Sequence, residues 1–253
     1  MAGHHGRLRA AAPPTVVSVA SVDAVVRANR ALGAAGQADL IWGHASVRDP
    51  DGRGAWMKAA GWGFEEIDAG KVVLVGNDGD VRSGGGRRHI EYPIHTEVYR
   101  ARPDVGAVVH THAAAAVSFA SLDVPIRAIS HDGVWFADPD IPRFRKTGNL
   151  IRDVDLGGAL ADTIGDGPGC LIPHHGLVTV GATVAEAVMR AVCLERACHV
   201  QLLAMSAGGP STWSDEDEVE KKRAEVWTPA QVQAGFDYLC RVAGCAPSTE
   251  GDT

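Results

Sequence analysis

The chain has 253 residues, 45% of them hydrophobic, with 30 glycines and a formal charge of −7 at pH 7. That length can bury a sizeable core in one large or two small domains, and the acidic balance argues against a nucleic-acid footprint or a basic membrane patch. Five cysteines (Cys170, Cys193, Cys198, Cys240 and Cys245) are scattered without a Cys-x-x-Cys pair, which fits a reducing, cytoplasmic setting better than a disulfide framework.

Residues 1–20 read as a flexible arm. Pro13 and Pro14 break its apolar stretch, which is too short for a signal peptide or a membrane span. His4 and His5 in the arm are expected to be solvated. Ser21 is placed to cap a helix running to about Gly36, with Val22, Val25, Val26, Asn29 and Leu32 near helical spacing. "DLIWGHASVRDPDGRGAWMKAAG" reads as two short strands around an Asp-Pro-Asp-Gly turn, and "KVVLVGNDGDVRSGGG" as a strand, a turn and a glycine loop. "IEYPIHTEVYRARPDV" reads as helical, with Pro93 in the first turn and Pro103 marking the end. "VGAVVHTH" is a buried strand, and "AAAAVSFASL" a helix with close-packed alanines. "GCLIPHHGLVTVG" gives a strand pair around His174-His175-Gly176.

Thr183 and Glu186 form a capping box for a helix to about Ser206. Thr228 and Pro229 open another that ends near Gly244, and "SDEDEVEKKR" between them is a solvated charged helix. Strands in the middle with helices on both sides predict one α/β domain. Its body would span residues 21–210, with residues 211–253 a helical extension.

The pair His110 and His112 carries the chemistry. On a strand, residues i and i+2 share a face about 6.5–7 Å apart, so two imidazoles can reach one divalent ion at about 2.0–2.1 Å. Thr111 between them would face the opposite layer. The same pair also suits two core histidines satisfied by hydrogen bonds. His175, before a glycine that lets the chain turn sharply, is the candidate third ligand, and three histidines leave a coordination position open for catalysis. His174 beside it is expected to face away or to hydrogen-bond; as a fourth ligand it would close a structural site. Glu91, four residues before His95 on the expected helix, is either an acid/base at the mouth of the helix or an ordinary first-turn glutamate.

In order along the chain, "GHASVR", "EYPIH", "RPDVGAVVHTH" and "LIPHHGLVTVG" together resemble the class II aldolase/adducin family over about residues 22–210. The resemblance implies a three-layer α/β/α domain around a mainly antiparallel sheet, and a homotetramer with sites between subunits. It implies His110, His112 and His175 as metal ligands, Zn²⁺ or Mn²⁺ as the ion, and Glu91 as acid/base. Phosphosugar members carry Gly-Asn where this chain has Gly43-His44, small hydroxyls where it has "MKAAGWGFEE", and Ser-Ser where it has "GGRRHIE". A planar, unphosphorylated carboxylate is therefore the expected substrate, held by His44, Lys58, Arg87 or Arg88, with His131 and Trp62 lining the pocket. Arg87 and Arg88 also suit a solvated loop.

The expected activity is a metal-dependent carbon–carbon lyase, a decarboxylase of a hydroxylated aromatic or related acid. An aldolase or epimerase on a small hydroxy-carbonyl compound is the alternative in the same site. A non-catalytic, adducin-like interaction module is the alternative of another class. No nucleic-acid or membrane partner is expected. Tyr238 is either a visitor to a neighbour's site or a core tyrosine.

Overall fold

The computed structural model describes residues 16–245. The expected arm lies outside the described residues as far as residue 15. Its last five residues belong to helix α1 (Val16–Ala34). Ser21 is therefore inside this helix and not its cap, since no breaker separates it from the valines before it. The seven strands among the described residues are β1 (His44–Arg48), β2 (Ala55–Lys58), β3 (Val72–Val75), β4 (Val81–Ser83), β5 (Ala107–Thr111), β6 (Gly169–Ile172) and β7 (Gly176–Gly181). They form one sheet in the order β4-β3-β2-β1-β5-β7-β6, and every neighbouring pair is antiparallel.

Alternation along the strands separates two apolar layers. Ala45, Ala107 and Val109 join the cluster that contains Ala31 and Leu32 of α1 and Phe119 of α3 (Ala114–Ala120). The same cluster takes in Val188 of α5 (Val184–Ser206) and Phe236 of α7 (Pro229–Val242). Val108, Val178 and Val180 face the other way, against Ile94 and Val98 of α2 (Pro93–Ala101) and Leu160 and Ile164 of α4 (Val154–Ile164). The expected α/β domain around an antiparallel sheet is therefore present.

The caps act as their residue types predict. Thr183 accepts from the Glu186 N–H at 3.2 Å, while the Glu186 carboxylate accepts from the Ala182 N–H at 2.8 Å. Thr228 accepts from the Gln231 N–H at 3.3 Å. The charged segment forms α6 (Glu216–Val226), with Val219 buried.

Helix α4 is not predicted above. Asp153 caps it by accepting from the Leu156 N–H at 2.8 Å. The pair Gly157-Gly158 weakens the helical signal, yet Gly157 is what lets α4 approach α2. A Cβ there would stand 2.7 Å from the Pro93 carbonyl oxygen and 2.8 Å from Glu97 Cγ.

Candidate metal centre

Strand β5 puts His110 opposite His44 of β1 on one side and Val178 of β7 on the other. His112 lies just past the end of the strand, and the alternation carries its ring to the same place. Thr111 does face the opposite layer, where its hydroxyl donates to Gln37 Oε1 at 2.7 Å. His175 arrives from the β6–β7 turn. The sharp conformation there belongs to His174, at φ 63°, and not to the glycine, as the sequence suggested. Gly176 serves close approach: a Cβ on it would be 2.2 Å from the Thr111 carbonyl oxygen and 3.2 Å from the His112 ring. His174 itself is exposed.

Glu91 does not share a helical face with His95. Helix α2 begins at Pro93, with Tyr92 as its cap, because proline suits a first helical position. Glu91 therefore sits in the preceding turn and points at the histidines. Its Oε1 accepts the Ile151 N–H at 2.8 Å and lies 3.6 Å from His175 Nε2; its Oε2 lies 3.8 Å from His110 Nε2. His95 instead turns to the sheet, with its Nε2 2.6 Å from His44 Nδ1 and its Nδ1 2.6 Å from the Ser46 hydroxyl.

Donor atoms of Glu91, His110, His112 and His175 all lie within 4.8 Å of one another. The hydrogen bonds fix which nitrogens face inward. His110 Nδ1 donates to the Leu177 carbonyl at 2.9 Å, and His112 Nδ1 donates to Asp39 Oδ2 at 2.9 Å. A neutral imidazole that donates from Nδ1 carries a lone pair on Nε2, and these two Nε2 atoms stand 3.2 Å apart. Two lone pairs facing each other at that distance call for a cation. Ligands about 2.0–2.1 Å from one tetrahedral ion are separated by about 3.3 Å. The residues present fit a divalent metal.

Electrostatics agrees. Burial above all, helped by neighbouring His175 and His112, lowers the His110 pKa to about 3, so the ring is neutral and ready to ligate. For Glu91, burial acts to raise the pKa, but His175, His110 and the Ile151 N–H outweigh it and hold the carboxyl at about 2. Two further histidines adjoin the cluster. The His44 ring lies 5.1 Å from His110 and 4.4 Å from His89, and His89 Nε2 is buried without a partner.

The other expected contacts are less gathered. Lys58 is fully buried, and both of its described hydrogen bonds go to backbone carbonyls, those of Ile41 and Trp62. Arg88 donates to the Gly79 carbonyl and stacks on Tyr92 at 4.3 Å. Arg87 is exposed. Trp62 is half exposed, with the Lys71 ammonium over its ring at 4.7 Å. The carbonyl of exposed His131 accepts the Trp227 indole N–H at 2.8 Å. Tyr238 is exposed on α7. Sequence reading missed Asp39, His89 and the Ile151 N–H. The histidine count near Glu91 hinted at His89; nothing local marks the other two.

A family model described as "Class II Aldolase and Adducin N-terminal domain" matches residues 23–202. The 3,4-dihydroxyphthalate decarboxylase of Arthrobacter keyseri is 32% identical over 74% of this chain and 79% of its own length. The 4-hydroxy-3-prenylphenylpyruvate oxygenase/4-hydroxy-3-prenylbenzoate synthase of Streptomyces roseochromogenus is also 32% identical, over 68% of this chain. That match spans 62% of the Streptomyces protein. Among solved structures, the L-fuculose 1-phosphate aldolase of Glaciozyma antarctica PI12 superposes with a TM-score of 0.78 at 27% identity. It covers 92% of this chain and 93% of its own.

Proposed function

This chain belongs to the class II aldolase and adducin family, and on that premise we propose that it is a divalent-metal-dependent carbon–carbon lyase. Its substrate in this reading is a non-phosphorylated, hydroxylated aromatic or related carboxylic acid, which it decarboxylates. The observation that carries the metal-lyase reading is the cluster of three imidazoles and one carboxylate within 4.8 Å. Decarboxylation is favoured by the likeness to a dihydroxyphthalate decarboxylase over most of both chains.

A divalent ion, Zn²⁺ or Mn²⁺, held by His110, His112 and His175 would supply a Lewis acid for adjacent substrate oxygens and for the charge left when the carbon–carbon bond breaks. Glu91, ionised at neutral pH, takes a proton from a substrate hydroxyl and returns it to the carbon that has lost CO₂. His44 beside His110 and exposed Arg87 are the proposed contacts for a substrate carboxylate, with Trp62 as a flat wall. Arg88 reaches a substrate only by exchanging the Gly79 carbonyl and the Tyr92 ring for it, whereas His131 is held through its backbone carbonyl and its imidazole is the group offered to a substrate.

The family's oligomeric habit supports a homotetramer. Leu40 and Trp42, 73% and 51% exposed, offer a second copy an apolar surface beside Asp39. Aldol cleavage of a small hydroxy-carbonyl compound is the second reading, supported by the likeness to a fuculose-phosphate aldolase over nearly the whole chain.

The test is elemental analysis of the purified protein, followed by a screen of the metal-loaded sample for CO₂ release from hydroxylated aromatic diacids. About one ion per chain with CO₂ release is the expected result. One ion without CO₂ moves the reading to aldol cleavage. No ion, even after reconstitution with Zn²⁺ or Mn²⁺, overturns the metal mechanism.

A further inference from the structure

The turn that runs from Asp39 to Trp42 has features that the proposed reaction leaves unexplained. Asp39 holds the outer nitrogen of His112 from 73 residues away, with Oδ2 accepting Nδ1–H at 2.9 Å. The turn is closed by the Trp42 N–H on the Asp39 carbonyl at 3.0 Å. Within it Leu40 takes φ 51°, a left-handed conformation that a side-chain-bearing residue adopts only when its surroundings impose it. The Leu40 side chain is exposed, so packing within the chain does not impose that conformation.

What does hold the turn comes from below it. Lys58, at the end of β2, has no exposed surface. Its ammonium donates to the Ile41 carbonyl at 2.8 Å, in the middle of the turn, and to the Trp62 carbonyl in the next loop. A buried lysine is costly to desolvate, and this one is fastened to two backbone segments. Gly43, next in the chain at φ 72°, leaves no room for a side chain against Phe64, where a Cβ would stand 2.9 Å from the ring, and that ring also carries the Lys58 ammonium 5.7 Å from its centroid.

We propose that Lys58 and Asp39 are positioning residues of the metal centre: Lys58 fixes the turn, the turn fixes Asp39, and Asp39 fixes the ring and tautomer of His112 so that Nε2 faces the ion. This assigns Lys58 a role through the backbone in place of a substrate contact, and it rests on the metal-site reading above. Carboxylates that hold the outer nitrogen of a ligating histidine commonly change metal affinity by about 10–100-fold when removed.

The experiment measures Zn²⁺ affinity by chelator competition for the full chain, Asp39→Ala, Asp39→Asn, Lys58→Met and the double variant Asp39→Ala/Lys58→Met. Nitrogen-15 spectra of the metal-free proteins report the His112 tautomer alongside. Asp39→Ala is expected to bind Zn²⁺ about 10–100-fold more weakly and to lose the Nδ1–H bias of His112. Lys58→Met is expected to move both readouts in the same direction. The double variant should be little worse than Asp39→Ala alone, because the two residues act in series.

Parent-like affinity and tautomer in Asp39→Ala overturn the inference while leaving the metal reading standing. Parent-like affinity in Lys58→Met with a raised KM returns Lys58 to the substrate. Additive losses in the double variant break the link between the two residues. Absence of Zn²⁺ binding by the parent overturns the metal reading and this inference with it. If Lys58→Met does not fold by circular dichroism, Lys58→Gln, which keeps a donor for one carbonyl, is expected to give an intermediate loss; parent-like binding there again overturns the role of Lys58.

Discussion

Glu91 and His174 show how little residue type says without a partner. Glu91 is acid/base in the proposed reaction because the Ile151 N–H and two imidazoles surround its carboxylate. Glu91→Gln keeps the shape and the Ile151 bond, so it is expected to retain the metal and to lose roughly 10²–10⁴-fold in kcat. Metal content and turnover on the same sample check this; full turnover removes Glu91 from the mechanism. His174 has an imidazole next to a proposed ligand and takes the left-handed conformation that turns His175 inward. His174→Gly is therefore expected to keep the metal and to leave stability equal or higher by about 1–2 kcal/mol. Urea unfolding and metal analysis read this directly, and loss of the ion would make His174 a ligand after all.

The elements matter through how closely they meet. The site depends on β7 lying against the end of β5, and Gly176 is where a side chain has no room. Gly176→Ala drives a methyl group into the Thr111 carbonyl and toward the His112 ring. It is expected to cost about 1–3 kcal/mol of stability and to weaken metal binding, because His110 and His112 are both set by that strand. Chelator competition beside urea unfolding separates the two effects; unchanged metal affinity would mean that the hairpin yields without moving the ligands. Helix α4 makes the same argument on the other face, where Gly157 lets it press on α2 just behind Glu91.

Across the whole molecule, the buried histidines set the response to acid. Burial lowers the pKa of His89, His95 and His110 from 6.5 to about 3, and His44 is lowered well below 6.5 for the same first cause. Each group binds a proton in the unfolded chain before it does so in the folded one. The stability they protect is thus present above pH 6.5 and is lost as pH falls toward 3. Each group contributes a slope of about 1.4 kcal/mol per pH unit inside that window. The metal-free protein is expected to lose stability steeply between pH 6 and 4, and His95→Gln should remove about one proton's worth of slope. Urea unfolding at several pH values tests it; an unchanged slope in the variant would show that His95 is protonated in the fold. For the assembly, sedimentation of the parent and of Trp42→Asp tests the proposed tetramer, with a smaller species expected in the variant.

The candidate donors, the caps and the α/β class of fold were legible in the sequence. His110 on a strand with His112 one alternation further, Thr183 and Thr228 at helix starts, and the strand pairs joined by short turns follow from short-range geometry, which a few consecutive residues specify. Helix α4 escaped because its glycines serve a neighbouring helix and weaken the local pattern. The tertiary structure decided the rest. It moved Glu91 off the helix and into the cluster, sent His95 to His44 and Ser46, and buried Lys58 under a turn. It also chose which nitrogen of His112 faces inward, through Asp39. These outcomes depend on hydrogen-bond partners dozens of residues away, and an imidazole has no fixed tautomer or direction until such a partner is in place.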